Sequence, residues 1–168
     1  MRPEYTIAFN LTPEESKNMT FYQAYTYSDA IFSQRFEGIP QVIDWTPEQI
    51  EMINTTQIYY LLDPYTPKAR KLFVSKLLES VMYEITDVVN SSKARNPSIP
   101  YYRLHSSHDT QVSNIMQQID HAFNFTYIPY ASGIYFEVYK HEGEFFVKTS
   151  FNGQPLTFGE CADVMCPA

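Results

Sequence analysis

The sequence predicts an α/β fold in which a helical subdomain precedes a strand–helix unit and a C-terminal antiparallel hairpin. Three observations carry this. Apolar residues recur at helical spacing between Thr20 and Asn90. The pattern changes at Tyr101, where a short β-rich run meets a Ser-Ser-His-Asp turn and a further helical stripe. Two runs rich in aromatics and valine then flank Lys140-His141-Glu142-Gly143, which reads as a hairpin turn. The expected division is a helical, insert-type region over residues 1–95 and a strand–helix–hairpin part over residues 96–168.

Taken in order, residues 1–18 are polar, contain two prolines and read as a loop. Phe21, Ala24, Tyr25, Ile31 and Phe32 mark a helix from about Thr20 to Phe36, which Glu37-Gly38-Ile39-Pro40 stops. Thr46-Pro47-Glu48-Gln49 combines a capping threonine, a first-turn proline and a residue able to close a capping box. That helix runs to about Leu62 and breaks at Asp63-Pro64. Thr66-Pro67 repeats the start, and Leu72, Phe73, Leu77, Val81, Ile85 and Val88 carry the longest amphipathic face to about Asn90. Residues 91–100 read as a linker. Tyr101 to His105 reads as a strand, and Val112, Ile115, Met116, Ile119, Ala122 and Phe123 form the next helical face. The hairpin strands are Gly133 to Tyr139 and Glu144 to Phe151.

Composition narrows the function. A formal charge of −7 argues against a nucleic-acid binder or a polybasic membrane anchor. With 44% hydrophobic and 18% charged residues the chain can build a core. No apolar run reaches the roughly 20 residues of a membrane span. The 5 glycines form neither a GxGxxG nor a GxxxxGK[ST] string, so nucleotide loops of those kinds are not expected.

Five asparagines begin Asn-x-Ser/Thr sequons: Asn10, Asn18, Asn54, Asn90 and Asn124. Chance would supply about one, so the excess points to surface glycans and to a secreted or lysosomal, lumenal setting. The first thirty residues hold no signal-peptide pattern, and the sequence therefore reads as the back half of a longer protein. Cys161 and Cys166, five apart, suit a local disulfide in an oxidising compartment or two free thiols otherwise.

The residues with most chemistry are His108 and Asp109, placed where strand gives way to helix. Backbone amides and the helix dipole favour anions there. A histidine can donate to a phosphate oxygen, and a carboxylic acid can protonate a leaving oxygen. Asp109 reads equally as a helix cap. The strings LHSSHDTQVSNIMQQID, PYASGIYFEVYKHEGEFFVKTSFNGQPL and CADVMCP, in that order, resemble the C-terminal half of the histidine acid phosphatases. The resemblance covers roughly residues 35–168 and implies part of a phosphoglycerate-mutase-like sheet. It also implies that His108 contacts the phosphoryl group, that Asp109 is the general acid, and that Cys161 and Cys166 form a terminal disulfide. The implied substrate is a phosphomonoester or other anionic small molecule, with no cofactor.

The family's nucleophile is a histidine in an Arg-His-Gly-x-Arg-x-Pro motif. None of His105, His108, His121 and His141 lies in such a string. Acid and anion contact without nucleophile and arginine clamp lose most of the rate, so the chain alone is expected to be inactive. His105 reads as packed or hydrogen-bonded, His121 as solvated and His141 as an exposed turn residue. Two alternatives stand beside this: a non-catalytic pseudophosphatase that binds anions or a partner chain, and a metal-dependent phosphohydrolase. The helices before residue 100 contain no histidine, which disfavours the metal site. Unpaired sheet edges predict self-association.

Overall fold

The computed structural model describes residues 1–62, 65–94, 102–119, 128–157 and 161–168. The chain divides into two compact units at residues 64–65.

The first unit holds α1 (Arg2–Ala8), α2 (Pro13–Lys17), α3 (Phe21–Phe36) and α4 (Pro47–Leu62). Residues 1–18, expected to be a loop, are thus mostly helical. Prolines sit in the first turn of both α1 and α2, where no intrahelical amide is lost. Thr12 and Glu15 form a full capping box at α2, and Thr20 and Gln23 form another at α3. At α4 the expected box is present: Thr46 N–H donates to Gln49 Oε1 at 2.9 Å and Gln49 N–H to Thr46 Oγ1 at 3.3 Å. The core is Tyr5, Ile31 and Ile53, one residue from each of α1, α3 and α4, with Phe9, Tyr27 and Trp45 packed around it. Rings carry much of this packing, as in the Phe9–Tyr27 stack at 4.4 Å.

The second unit holds α5 (Pro67–Ala94), α6 (Asp109–Ile119) and a four-stranded sheet. Helix α5 starts on the Thr66 cap, whose Oγ1 accepts from Ala69 N–H at 3.2 Å. It continues through residues 91–94, where a linker was expected; residues 95–100 lie outside the described residues. Strands β1 (Ile134–His141) and β2 (Glu144–Phe151) form the expected hairpin, with the turn confined to Glu142-Gly143. Both turn residues have positive φ, 50° and 91°, matching a two-residue hairpin. Two short strands were not foreseen: β3 (Gln154–Leu156) and β4 (Met165–Pro167). They lie on the other side of β2, pairing with residues 149–151 and 146–148 respectively. Every pairing is antiparallel.

Register sorts the sheet's faces. Opposed pairs Phe136–Thr149, Val138–Val147, Thr149–Leu156 and Val147–Cys166 put Phe136, Val138, Val147, Thr149, Leu156 and Cys166 on one face. Val147, Thr149, Leu156 and Cys166 are buried there. Tyr135, Glu137, Tyr139 and Lys148 share the other face. A disulfide joins Cys161 to Cys166 and so ties β4 to the residues before it.

The strand expected over residues 101–105 is a correction. Residues 102–108 carry no strand, and Tyr101 lies outside the described residues. A short apolar run becomes a strand only with a neighbour to bond, and no parallel partner exists among the described residues.

Candidate active site

His108 and Asp109 stand at the start of α6. The His108 carbonyl accepts from Gln111 and Val112 N–H, each at 3.0 Å, which makes His108 the residue that caps the helix with its backbone. Asp109 Oδ1 accepts from Thr110 N–H at 2.7 Å and from Thr110 Oγ1–H at 3.3 Å. Both side chains are exposed. Their position is held from below, because Ser113, Asn114, Ile115 and Met116 of α6 are buried.

These bonds change one expectation. The amides of Thr110, Gln111 and Val112 are engaged locally, so they are not standing donors for an anion. Asp109 Oδ1 serves the helix, while Oδ2 makes no hydrogen bond among the described residues.

An open groove lies alongside, lined by Phe73, Lys76 and Leu77 of α5 and by Leu104, His105, Ser106, Ser107 and Gln111. The lining residues Ser107 and Gln111 bracket the His108-Asp109 pair in sequence, although neither member of the pair lines the groove itself. Glu84 of α5 anchors the segment that leads to the pair. Its carboxylate lies 3.7 Å from Arg103 Nε and 3.5 Å from His105 Nε2. Ser80 Oγ adds a 3.4 Å contact to Glu84 Oε1. His105 is therefore a hydrogen-bonded residue of this segment, with Glu84 as its partner.

The Pro-Tyr-Ala-Ser segment is locked to the sheet by Asn152 in the β2–β3 turn. Asn152 Oδ1 accepts from Gly133 N–H at 2.8 Å, and Asn152 Nδ2 donates to Ser132 Oγ at 3.1 Å. An added Cβ at Gly133 would fall 2.9 Å from the far end of the exposed Tyr135 ring, which would have to turn aside. His141 is exposed at the end of β1, while His121 and Asn124 lie outside the described residues. Asn10, Asn18 and Asn90 are exposed and Asn54 is half-buried. Among the described residues no group of three His, Cys, Asp or Glu is placed to hold a metal ion. No helix among them is long and apolar enough to cross a membrane.

The family model for the histidine phosphatase superfamily (branch 2) matches residues 5–152. The chain belongs to that superfamily. The match begins earlier than the motif resemblance did and takes in α1 to α4 as well as the His108-Asp109 turn and the hairpin. Counting factor 60 of Dictyostelium discoideum is 30% identical to this histidine phosphatase chain over 134 residues. The aligned stretch is 72% of this chain but 29% of that relative's length.

Proposed function

We propose that this chain carries the acid and phosphate-contact half of a histidine acid phosphatase site. In the complete family enzyme a phosphomonoester is hydrolysed through a phosphohistidine. Here His108 would donate to a phosphoryl oxygen and Asp109 Oδ2 would protonate the departing alcohol. The single observation that carries this reading is the exposed His108-Asp109 pair at the start of α6, within the region matched by the family model. The attacking imidazole and its arginine clamp have no counterpart in the sequence, so the chain alone is inactive in this proposal.

The test is p-nitrophenyl phosphate turnover at acid pH. The expected result is no rate above buffer, together with a phosphate-dependent shift of the His108 ring resonances. A family-like rate abolished by His108→Ala would overturn the inactivity. Supplying a segment with the Arg-His-Gly motif should restore turnover, and Asp109→Asn should then lower kcat by about 10²–10⁴-fold.

The pseudophosphatase reading is favoured by the open groove beside the pair, whose Lys76, Ser106 and Ser107 suit an anionic ligand without turnover. Secretory or lysosomal passage is supported by the sequons and by the Cys161–Cys166 disulfide. Self-association is supported by β1, which is paired on one side only among the described residues.

A further inference from the structure

Asn10 and Asn18 bracket the five-residue helix α2. Asn10 follows α1 and has a left-handed backbone, φ 50°, a conformation asparagine tolerates. Asn18 is the C-cap of α2 and lies two residues before Thr20, the N-cap of α3. Both side chains are exposed and neither makes a hydrogen bond among the described residues. The loop around Asn18 is held in place by Arg2, whose guanidinium donates to the carbonyls of Lys17 at 3.0 Å and Met19 at 3.5 Å. Asn54 contrasts with both. It sits half-buried inside α4, beside Ile53 at 1% exposure.

A second observation concerns the start of α3. Phe21 and Tyr22, three and four residues beyond Asn18, are 55% and 61% exposed. Tyr60 neighbours both rings in tilted contacts, with centroids 6.4 and 5.8 Å away. Exposed rings with a ring neighbour and no place in the core offer flat apolar faces to the C–H side of a sugar.

We propose that Asn10 and Asn18 are N-glycosylated, and that the first sugar on Asn18 packs on the Phe21–Tyr22 faces. Asn54 stays bare. In the transfer, the asparagine Nδ2 bonds to the anomeric carbon of a lipid-pyrophosphate-linked oligosaccharide. The carbon–oxygen bond to the pyrophosphate breaks, the amide gives up one proton, and the lipid pyrophosphate leaves. The proposal rests on the lumenal reading above. It further implies that the Thr12 and Thr20 hydroxyls serve twice, first as sequon hydroxyls and then as helix caps.

The test expresses the full chain behind a cleavable secretion leader and uses only protein recovered from the medium. Deglycosylation in heavy-oxygen water, followed by peptide mass mapping, is expected to label Asn10 and Asn18 and to leave Asn54 unlabelled. Absence of label at both Asn10 and Asn18, or label at Asn54, would overturn the site assignment. Native expression without the added leader tests the lumenal reading separately. For the aromatic platform, enzymatic removal of the glycans should lower Tm by about 2–4 °C. That shift should persist in the Asn10→Gln variant and vanish in Phe21→Ser/Tyr22→Ser. A shift unchanged by the ring substitutions would overturn the packing. Thr20→Ser should retain both glycan and cap, whereas Asn18→Gln should lose the glycan alone.

Discussion

Tyr5 sets its hydroxyl 2.7 Å from Ser28 Oγ, and the two residues are 2% and 0% exposed. Each hydroxyl satisfies the other where water cannot reach. Tyr5→Phe should therefore destabilise the chain by about 1–3 kcal/mol, because Ser28 is left without its partner. Adding Ser28→Ala should recover part of the loss, as read from urea midpoints. The same burial raises the Tyr5 phenol above its ordinary range, against the opposing effect of the Ser28 hydrogen bond. A raised folded-state pKa gives stability that is complete below the unfolded value, about 10, and is lost as pH rises through the folded one. Wild-type chain should thus weaken above that pH by a component that Tyr5→Phe lacks. At this scale the sequence named His108 and Asp109 from their place beside a helix start. It left Asp109 divided between acid and cap; Asp109 is the first residue of α6, and its Oδ1 accepts from the Thr110 amide. Glu84 was illegible, since Arg103 and His105 lie 19 and 21 residues further along the chain.

Caps and turns account for which elements could be read in advance. The starts of α3, α4 and α5 were legible because Thr20, Thr46 and Thr66 each precede an apolar period. Helix α2 carried an equal signal in Thr12-x-x-Glu15, obscured by treating Pro3 and Pro13 as loop markers. Strand β3, not expected, follows an unread signal in Asn152-Gly153, a pair suited to a two-residue hairpin whose residues both take positive φ, 48° and 81°. Asn152→Ala should cost about 1–2 kcal/mol, through left-handed strain and loss of the Gly133 and Ser132 contacts. A drop in Tm without change in the far-ultraviolet spectrum is the expected readout. Strand β4 had no comparable local signal, because its pairing with Phe146–Lys148 is non-local. The β1–β2 pair also fixes a pH response. Lys148 Nζ lies 3.2 Å from Glu137, and Tyr139 Oη donates to it at 3.0 Å. These two donors, Lys148 first, hold the Glu137 carboxyl below its usual range. A depressed folded-state pKa gives stability present above the unfolded value, about 4.3, and lost as pH falls through the folded one. The stability gap between wild type and Glu137→Gln should therefore close on acidification below that point, as followed by thermal melts.

At the scale of the whole molecule, family membership was legible from three motifs in order, while the sheet's true neighbours were not, because a strand depends on partners rather than on its own residues. The surface of this chain carries several exposed apolar groups. Tyr102 and Leu104 are 71% and 73% exposed, and Tyr135 and Tyr139 stand out from β1. Among the described residues one edge of β1 is unpaired, and it runs for eight residues without a proline or bulge, the features that usually guard such an edge. Two copies can meet there antiparallel, extending both sheets, with the tyrosine faces adjoining. Opposing this, a charge of −7 on each copy repels the second, so association should strengthen as salt screens it. Sedimentation velocity should show a concentration-dependent dimer that grows between low and physiological ionic strength. Val138→Pro removes an edge amide and kinks β1, and it should return the protein to monomer; because it also disturbs β1, Tyr135→Lys/Tyr139→Lys provides the gentler second variant. A monomer at high concentration and high salt would show that the β1 edge is not a pairing surface between copies.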